Sequence, residues 1–583
     1  MRATTPSPVR PGGSSTLAGW LALGALILAG LALRLHGISG QILLDDEWHS
    51  LFYVADFPLK DLLTHMGSGA TCIPLNIFQK FMLQSIGWSE MILRLPGIVA
   101  GILCLCVFPL LVGKLFSRRA TIIFTILMAI SPHLIFAGSF TRPYAIYLLL
   151  SFVAIHAFYM WTISGQGRYR MAYVLGGAMA IYVHLFAVIA VILPPLYVLL
   201  SRGSPWLKGT DGQNQMTSKK IIGALALCLG IAGVLLLPAL VHSSAEFFAK
   251  RPRSNPPTVF TFAGFASLVA GSSNWLAVIP FCLLWLGGQA WLIRTNRLLG
   301  GMFAAITLSY AAAVVLAAPP KMDVSIQMAR YCIPIFPIAF ICVAVAADQS
   351  LAALAQRPGS RSRGFATGII LCAGVTLFMA GPLPRLHGSI NNFMNHAAYQ
   401  ESYEPLQWDH PYHSQMFDYH MTVQEPTMSE FYRRLVREKE DVIVVEYPMI
   451  IGFHLNPFYF YQHFHHKRVI AGYVSNLDCF TLRSPGDAAH PNMPFDVPLS
   501  NVKDKGNLRF RNMVDLTRKE DLLKSGARYL IIHKNIFSEE MGQKTFDHAW
   551  LPAMDLEKTY RKEFGEPVFK DQWLTVFRIP DSP

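Results

Sequence analysis

The chain has 583 residues, of which 52% are apolar and 15% are charged, and its mean hydropathy is +0.36. This composition excludes an ordinary soluble enzyme, because apolar runs long enough to cross a bilayer recur along the first two thirds of the chain. The formal charge of +13 is explained by basic cytoplasmic loops and by attraction to lipid headgroups, so it does not indicate nucleic-acid binding. The sequence therefore predicts an integral membrane protein.

Eleven apolar segments are predicted to cross the membrane, each bounded by charged residues or helix breakers. The apolar run 171–201 is flanked on both sides by basic segments, which requires an even number of crossings there, so it divides near His184 into two short helices. Residues 1–16 are rich in Pro, Gly and Ser and are predicted to be a disordered tail before a retained signal anchor. The predicted spans are 17–36, 91–113, 120–137, 143–163, 171–184, 185–201, 221–241, 274–293, 299–318, 331–347 and 365–384.

The distribution of basic residues predicts the orientation of the chain. With a cytoplasmic N-terminus, the inside segments carry sixteen Lys and Arg residues, and the outside loops before residue 385 carry eight. Eleven crossings then place residues 385–583 outside the membrane. The formal charge changes at the same boundary, from +16 over residues 1–384 to −3 over the remainder. The sequence thus predicts a membrane domain at 17–384 and an extracytoplasmic, periplasmic domain at 385–583.

The predicted outer domain alternates helical and strand patterns, which favours an α/β fold. Its sequence contains no Walker loop and no GxGxxG after a strand, so no nucleotide site is predicted. Two groups of histidines match no standard zinc spacing, and surface or hydrogen-bonded positions are the simpler interpretation. The predicted helices are 429–440 and 519–524, the strands are 441–446, 468–473 and 528–533, a hairpin covers 567–579, and the histidines are His410, His413, His420, His463, His465 and His466.

Three adjacent carboxylates, Asp45, Asp46 and Glu47, directly follow the first predicted span. Their negative charges repel one another beside a low-dielectric bilayer, and this is expected to raise at least one of their pKa values. A carboxylate with a raised pKa suits a general base, and a solvated acidic turn is the alternative interpretation. His49 lies two residues beyond Glu47, where it either lines the same site or makes a local hydrogen bond.

Two arginines are predicted at the outer ends of two spans, and a tyrosine follows each within two residues. These pairs are Arg142 with Tyr144 and Arg330 with Tyr331. A guanidinium fork beside a phenol donor can bind a phosphate through several hydrogen bonds. The alternative is a pair that only anchors its span at the level of the headgroups.

Four ordered motifs in the predicted membrane domain resemble the C-type (GT-C) membrane glycosyltransferases, in particular bacterial relatives of the protein O-mannosyltransferases and the lipid A aminoarabinose transferases. The resemblance extends over residues 17 to about 347, and it is only loose in the outer domain. It implies a polytopic α-helical fold with a catalytic first outer loop at 37–90. Arg34 and Arg94, within these motifs, are interpreted as structural partners of carboxylates. The motifs are Arg34-Leu35 with Leu44-Asp45-Asp46-Glu47, Gly87-Trp88-Ser89-Glu90 with Leu93-Arg94-Leu95-Pro96, Ser139-Phe140-Thr141-Arg142-Pro143-Tyr144-Ala145, and Ala329-Arg330-Tyr331.

The resemblance implies an inverting, mannosyltransferase-like enzyme of the cell envelope. Such an enzyme moves a sugar from a polyprenyl-phosphate carrier to a hydroxyl of a lipid, glycan or protein at the outer face of the inner membrane. The reaction needs a carboxylate to accept the acceptor's proton and cations to hold the departing phosphate. Asp46 aligns with the family's Asp-Glu pair and is the expected base, with Glu47 as its orienting partner. Because Asp45 is an additional carboxylate, the alignment with the family's Asp-Glu pair can shift by one residue, and Asp45 is then the alternative base.

Further basic residues are candidates for the donor site. Lys250, Arg251 and Arg253 lie on the predicted outer side against the positive-inside rule. They bind either the carrier's phosphate or an anionic acceptor headgroup, or they form a loop attracted to anionic lipid. Lys321 is a candidate for the same surface, or it pairs with nearby Asp323. The sequence assigns no cofactor, because an acidic first loop can hold a divalent cation and basic residues can replace one.

Two other functions are compatible with parts of the pattern. An oligosaccharide ligase or polymerase would use a pyrophosphate-linked glycan and would need a longer, wider donor groove. A transporter would need inverted repeats, broken helices and charges near the bilayer midplane. The candidate residues gather instead near one membrane edge, and mid-span charges are nearly absent, which favours the transferase.

Overall fold

A computed structural model of the chain gives the placement of most of the predicted membrane domain and of the core of the C-terminal domain. The candidate residues Asp45, Asp46, Glu47, His49, Lys250, Arg251, Arg253 and Lys321, the tail 1–16, most of span 365–384 and every C-terminal candidate histidine except His465 lie outside the described residues. The described residues are 17–35, 38, 51, 54, 57–64, 72–87, 89–203, 216–248, 256–272, 274–317, 325–355, 368–369, 372–376, 429–440, 442–447, 465, 467–473, 514–515, 518–534 and 553–580.

The membrane domain is a bundle of helices, most of which lie at the positions predicted from apolar length, whereas Ile73–Ser85 and Val259–Ala270 are helices within predicted outer loops. Among the described helices, six are long and apolar enough to cross a membrane, or up to seven when one bent pair counts as a span. The polytopic helical fold class is confirmed, and the count of eleven crossings stays a prediction. The helices are α1 (Leu17–Leu35), α2 (Leu59–Thr64), α3 (Ile73–Ser85), α4 (Glu90–Val112), α5 (Arg118–Ile130), α6 (Pro132–Gly138), α7 (Tyr144–Ser164), α8 (Gly167–Val183), α9 (Ala187–Gly203), α10 (Ser218–Phe248), α11 (Val259–Ala270), α12 (Trp275–Thr295), α13 (Arg297–Ala317), α14 (Ser325–Tyr331) and α15 (Ile335–Ala355).

Prolines break two segments that the sequence analysis treats as continuous. Helices α5 and α6 meet at an angle of 60°, with Pro132 at the first position of α6. Helix α14 ends at Tyr331, before Pro334, and α15 begins at Ile335. Proline lacks an amide hydrogen and disfavours helical geometry in the residue before it, so each helix ends ahead of its proline. The predicted spans 120–137 and 331–347 did not include these breaks, and the bent pair α5 and α6 can still count as one span.

The predicted division of the apolar run at His184 is confirmed. Helix α8 ends at Val183, His184 has extended backbone angles (φ −154°, ψ 119°), and α9 begins at Ala187. The carbonyl oxygen of His184 accepts a hydrogen bond from the amide of Ala187 at 2.9 Å. This turn brings the His184 side chain to the end of the bundle where Arg142 and Arg330 lie.

Arg34 is a structural residue, as predicted, but its hydrogen bonds go to carbonyl groups rather than to carboxylates. Its guanidinium donates to the carbonyl oxygens of Met128 at 2.8 Å, Ala129 at 3.2 Å and Gly30 at 3.0 Å. Helix α5 ends just beyond, at Ile130, where its last carbonyls lose their helical partners. Arg34 supplies donors for these carbonyls and joins α1 to α5.

The C-terminal domain contains a mixed six-stranded sheet with the strand order β3-β2-β1-β4-β6-β5. Strands β3, β2, β1 and β4 are parallel, and β6 pairs antiparallel to both β4 and β5. The predicted α/β pattern and its strands are confirmed in position. The elements are α16 (Glu430–Arg437), β1 (Ile443–Tyr447), β2 (Arg468–Tyr473), β3 (Val514–Asp515), α17 (Lys519–Lys524), β4 (Tyr529–His533), α18 (Ala553–Phe564), β5 (Phe569–Lys570) and β6 (Leu574–Arg578).

A buried polar cluster joins β1, β4 and α16. Glu446 Oε2 lies 2.7 Å from His533 Nε2 and accepts a hydrogen bond from the Tyr432 hydroxyl at 2.9 Å. The ring of His465 stacks on Tyr432, and its Nδ1 accepts a hydrogen bond from the Lys467 amide at 2.9 Å. When a neutral His465 accepts this bond at Nδ1, its proton is on Nε2. Nε2, which lies 4.0 Å from Glu446 Oε1, is therefore a hydrogen-bond donor rather than a metal ligand. This geometry favours the hydrogen-bonded interpretation of His465.

Candidate active site

The segment between α6 and α7 carries the first predicted phosphate-binding pair, and Thr141 anchors it. The Thr141 hydroxyl donates to the Leu93 carbonyl oxygen in α4 at 2.8 Å and accepts from Gln79 Nε2 in α3 at 3.0 Å. Arg142 follows immediately, and α7 begins two residues later at Tyr144. The position of Arg142 is therefore set jointly by α3, α4 and the start of α7.

A close helix approach supports the same segment. A Cβ atom added at Gly97 in α4 would lie 2.9 Å from the Phe140 carbonyl oxygen and 3.2 Å from that of Gly138. Only glycine leaves room for this contact between α4 and the end of α6. Gly97 therefore allows the Phe140 ring and the neighbouring arginine to be held at the end of the bundle.

The second predicted pair lies against the first. Arg330, in the last turn of α14, is buried, and its guanidinium carbon lies 5.2 Å from the ring centroid of Phe140 and 5.8 Å from that of Tyr144. The guanidinium also donates from Nη1 to Gln327 Oε1 at 3.1 Å. A cation over an aromatic face is favourable, and stacking fixes the plane of the guanidinium. The structure thus brings two motifs together that are far apart in the sequence.

His184 lies where these residues meet. Its ring centroid is 6.2 Å from that of Tyr144 and 5.5 Å from that of Tyr331. The half-buried Arg142 is close enough to act on His184 electrostatically. Arg142, Tyr144, Arg330 and Tyr331 form what is called here the arginine–tyrosine cluster, with His184 among them.

Hydrogen-bonded tyrosines form a rigid base below the cluster. The His184 ring stacks on Tyr147 at a centroid distance of 4.5 Å and an interplanar angle of 14°. The Tyr147 hydroxyl lies 2.5 Å from the Tyr310 hydroxyl and 3.2 Å from the Tyr331 carbonyl oxygen. The Tyr310 hydroxyl donates in turn to the Phe186 carbonyl oxygen at 3.1 Å. These bonds connect α7, α13 and α14 with the turn before α9.

Several contributors to this site are not among the residues selected from the sequence. Phe140 lies within a recognised motif, but its role as the surface under Arg330 depends on the approach of α14. Gln79 lies in the first loop without any distinguishing pattern. His184 stands out in the sequence as a lone polar residue in an apolar run, and this is the feature by which the sequence could have indicated a place in the site.

The cluster combines two guanidinium groups with phenol and imidazole groups, and this combination suits an anion. Phosphate oxygens accept several hydrogen bonds at once, and guanidinium groups present donors in a matching plane. In the part of the chain that the structure describes, no three His, Cys, Asp or Glu side chains are grouped to hold a metal ion. The described part of the site thus presents cationic and neutral hydrogen-bond donors.

The described fold is that of the GT-C membrane glycosyltransferases. It is similar to the crystal structure of the lipid A aminoarabinose transferase ArnT from Cupriavidus metallidurans in the apo state, with a TM-score of 0.51, 12% identity, and coverage of 97% of this chain and 99% of that chain. For the same protein bound to undecaprenyl phosphate, the TM-score is 0.49 at 11% identity, with coverage of 98% of this chain and 99% of that chain. For the Archaeoglobus fulgidus oligosaccharyltransferase in the apo form, the TM-score is 0.46 at 12% identity, with coverage of 89% of this chain and 70% of that chain. No family model and no curated protein sequence matches this chain. The predicted fold class is confirmed, and the protein is a multi-pass membrane protein.

Proposed function

We propose that the protein is an inverting glycosyltransferase that moves a sugar from a polyprenyl-phosphate carrier to an acceptor hydroxyl at the outer face of the cytoplasmic membrane. The arginine–tyrosine cluster is the observation that supports this proposal most strongly. Arg142 comes from the segment between α6 and α7 and Arg330 comes from α14, and the Arg330 guanidinium lies over the ring of Tyr144, two residues after Arg142. A lipid-linked phosphate is the anion that reaches such a position from the bilayer.

In the proposed reaction, Arg142 and Arg330 hold the phosphate of the donor. The acceptor oxygen attacks the anomeric carbon from the face opposite the phosphate, and the bond from that carbon to the phosphate oxygen breaks. The electron pair leaves with the polyprenyl phosphate, whose increased negative charge the guanidinium groups stabilise. Attack from the opposite face inverts the configuration at the anomeric carbon.

The acceptor's proton passes to a carboxylate of the first loop. Asp46 is the proposed base and Glu47 orients the acceptor. Asp45, the preceding residue, is the alternative candidate for the base. Helix α3 of the same loop contacts the Arg142 segment through the hydrogen bond between Gln79 and Thr141, which supports a site shared by the loop and the cluster. Lys250, Arg251, Arg253, Lys321 and His49 are proposed as further site-lining residues.

The proposed acceptor is a hydroxyl of a lipid, a glycan or a protein. The proposed topology has a cytoplasmic N-terminus and an extracytoplasmic C-terminal domain, which follows from the excess of Lys and Arg in the inside segments. A divalent cation is compatible with the carboxylates of the first loop, and its requirement is tested by adding a chelator to the assay.

The test is transfer of label from radiolabelled polyprenyl-phosphate sugars to endogenous acceptors in membranes that contain the protein. Wild type, Asp46→Asn and Asp45→Asn are compared at equal expression, with Asp61→Asn in helix α2 of the same loop as the matched control. We expect Asp46→Asn alone to abolish transfer, and the labelled product identifies the acceptor class.

Two results contradict the proposal. If no donor gives label above membranes without the protein, the transferase assignment is wrong. If Asp46→Asn and Asp45→Asn both transfer like wild type, the proposed base is wrong. Transfer from a pyrophosphate-linked glycan but from no phosphate-linked sugar identifies a ligase or polymerase instead.

A further inference from the structure

His184 has no role in the proposed reaction, and its environment is unusual for a structural histidine. Four aromatic rings surround the imidazole, those of Tyr144, Tyr147, Phe186 and Tyr331, with centroid distances from 4.5 to 6.2 Å. Stacking on Tyr147 and edge contact with Tyr331 leave the ring little rotational freedom. The imidazole is therefore held in one orientation.

One ring nitrogen of His184 lacks a hydrogen bond. Among the residues that the structure describes, Nδ1 is shielded from solvent and has no hydrogen-bond partner. Leaving such a polar atom unsatisfied costs free energy, and a bound water, an ion or a ligand group supplies the partner in folded proteins. The residue as a whole is only half-buried, and its ring contacts Tyr144 and Tyr331 of the arginine–tyrosine cluster.

The surroundings indicate which kind of partner suits this nitrogen. Arg142 lies two residues before Tyr144, whose ring borders that of His184, and the guanidinium of Arg330 lies over the same tyrosine. A cationic partner is unfavourable beside two guanidinium groups, whereas an anion with acceptor oxygens is favoured. A neutral imidazole can donate one hydrogen bond to such an oxygen without adding a third positive charge.

We infer that His184 is a phosphate-binding residue, which donates from Nδ1 to an oxygen of the carrier phosphate held by Arg142. This inference rests on the proposed function and adds a third binding group to the donor site. The rigid contacts with Tyr147 and Tyr331 hold the donor in place, so little conformational entropy is lost when the phosphate binds. The role belongs to one ring nitrogen, and substitutions that replace one nitrogen at a time can test it.

The test measures binding of undecaprenyl phosphate to the purified full-length protein in detergent, with undecaprenol as the matched ligand that lacks the phosphate. His184→Asn places an amide N–H near the position of Nδ1, His184→Gln places one near Nε2, and His184→Phe keeps only the ring. His242→Asn is the control variant, because His242 is exposed in α10 and its Nδ1 is bonded to the Pro238 carbonyl oxygen. Each variant must match the wild type in elution volume and thermal midpoint.

We expect His184→Asn to keep phosphate affinity within about threefold of wild type, and His184→Gln and His184→Phe to weaken it roughly tenfold or more. Affinity for undecaprenol should be the same in all variants. Equal losses in the Asn and Gln variants, retention by Gln alone, or unchanged affinity in the Phe variant would each overturn the inference. A purely structural role would reduce affinity for both ligands.

The outcome also separates this inference from the proposed function. If wild type prefers undecaprenyl phosphate to undecaprenol and the His184 variants bind like wild type, only the role of His184 is wrong. If wild type does not distinguish the two ligands and transfers no label in the membrane assay, the proposed function is wrong, and the role of His184 fails with it.

Discussion

The guanidinium carbon of Arg330 lies 5.8 Å from the ring centroid of Tyr144, although the two residues are 186 positions apart in the sequence. The same guanidinium lies 5.2 Å from the ring of Phe140. The two rings are nearly parallel, at an interplanar angle of 16°. A planar cation therefore fits this aromatic surface better than a tetrahedral ammonium group does.

The first prediction concerns the shape of this cation. Arg330→Lys keeps the positive charge but loses the planar fork and its stacking on Phe140 and Tyr144. We expect kcat/KM for the lipid-linked donor to fall roughly 10- to 100-fold, because one or two charge-assisted hydrogen bonds are lost. Arg168→Lys is the matched control, because Arg168 makes the same kind of contact with Tyr169 away from the cluster. Equal activity in the two variants would show that charge alone suffices at Arg330.

The second prediction concerns the close approach at Gly97. In Gly97→Ala the new methyl group lies 2.9 Å from the Phe140 carbonyl oxygen and forces α4 and the Phe140 segment apart. We expect a severalfold loss of transfer and a stability loss of about 1–3 kcal/mol. Gly230→Ala in α10 is the control, because no atom lies within 4 Å of its added methyl group. That variant should have unchanged activity and an equal or slightly higher thermal midpoint.

The third prediction concerns the buried carboxylate of the C-terminal domain. Glu446→Gln removes the charge that His533 and Tyr432 contact, and no substitute acceptor of equal strength takes its place. We expect a stability loss of about 1–3 kcal/mol in the domain, measured by scanning calorimetry of the full-length protein. Glu563→Gln breaks only a partly exposed pair with Lys519 and should change stability by less than about 1 kcal/mol. A similar midpoint for the two variants would mean that the buried cluster contributes little.

The fourth prediction concerns pH. Burial favours the neutral form of Glu557, but hydrogen bonds from Lys570 and Thr575 outweigh it and hold the pKa of Glu557 below its ordinary value of 4.5. A carboxyl group with a lowered pKa in the folded state stabilises the fold above the unfolded-state pKa, and that stabilisation disappears as the pH falls through the folded-state pKa.

Wild type should therefore exceed Glu557→Gln in stability by about 0.5–1.5 kcal/mol at neutral pH, and the difference should shrink below about pH 4.5. The measurement is the calorimetric transition of the C-terminal domain in both proteins from pH 7 to pH 3. A difference that stays constant over this range would show that the charge of Glu557 does not contribute.

Much of the architecture follows from local sequence. Apolar length determined the helices, because a segment that crosses a bilayer must satisfy its own backbone hydrogen bonds. Alternation of apolar strands with amphipathic helices determined the α/β character of the C-terminal domain, since a parallel sheet needs crossover connections. The breaks before Pro132 and Pro334 follow from the same local chemistry, although the predicted spans ignored them.

The tertiary structure decided which distant side chains meet. The arginines and tyrosines of the cluster were selected from the sequence, but their approach depends on the packing of α14 against the Phe140 segment. The place of His184 among them depends on the turn between α8 and α9, and the carbonyl partners of Arg34 depend on the bend after α5. Such contacts arise from the geometry of packed helices, which no spacing along one chain segment contains.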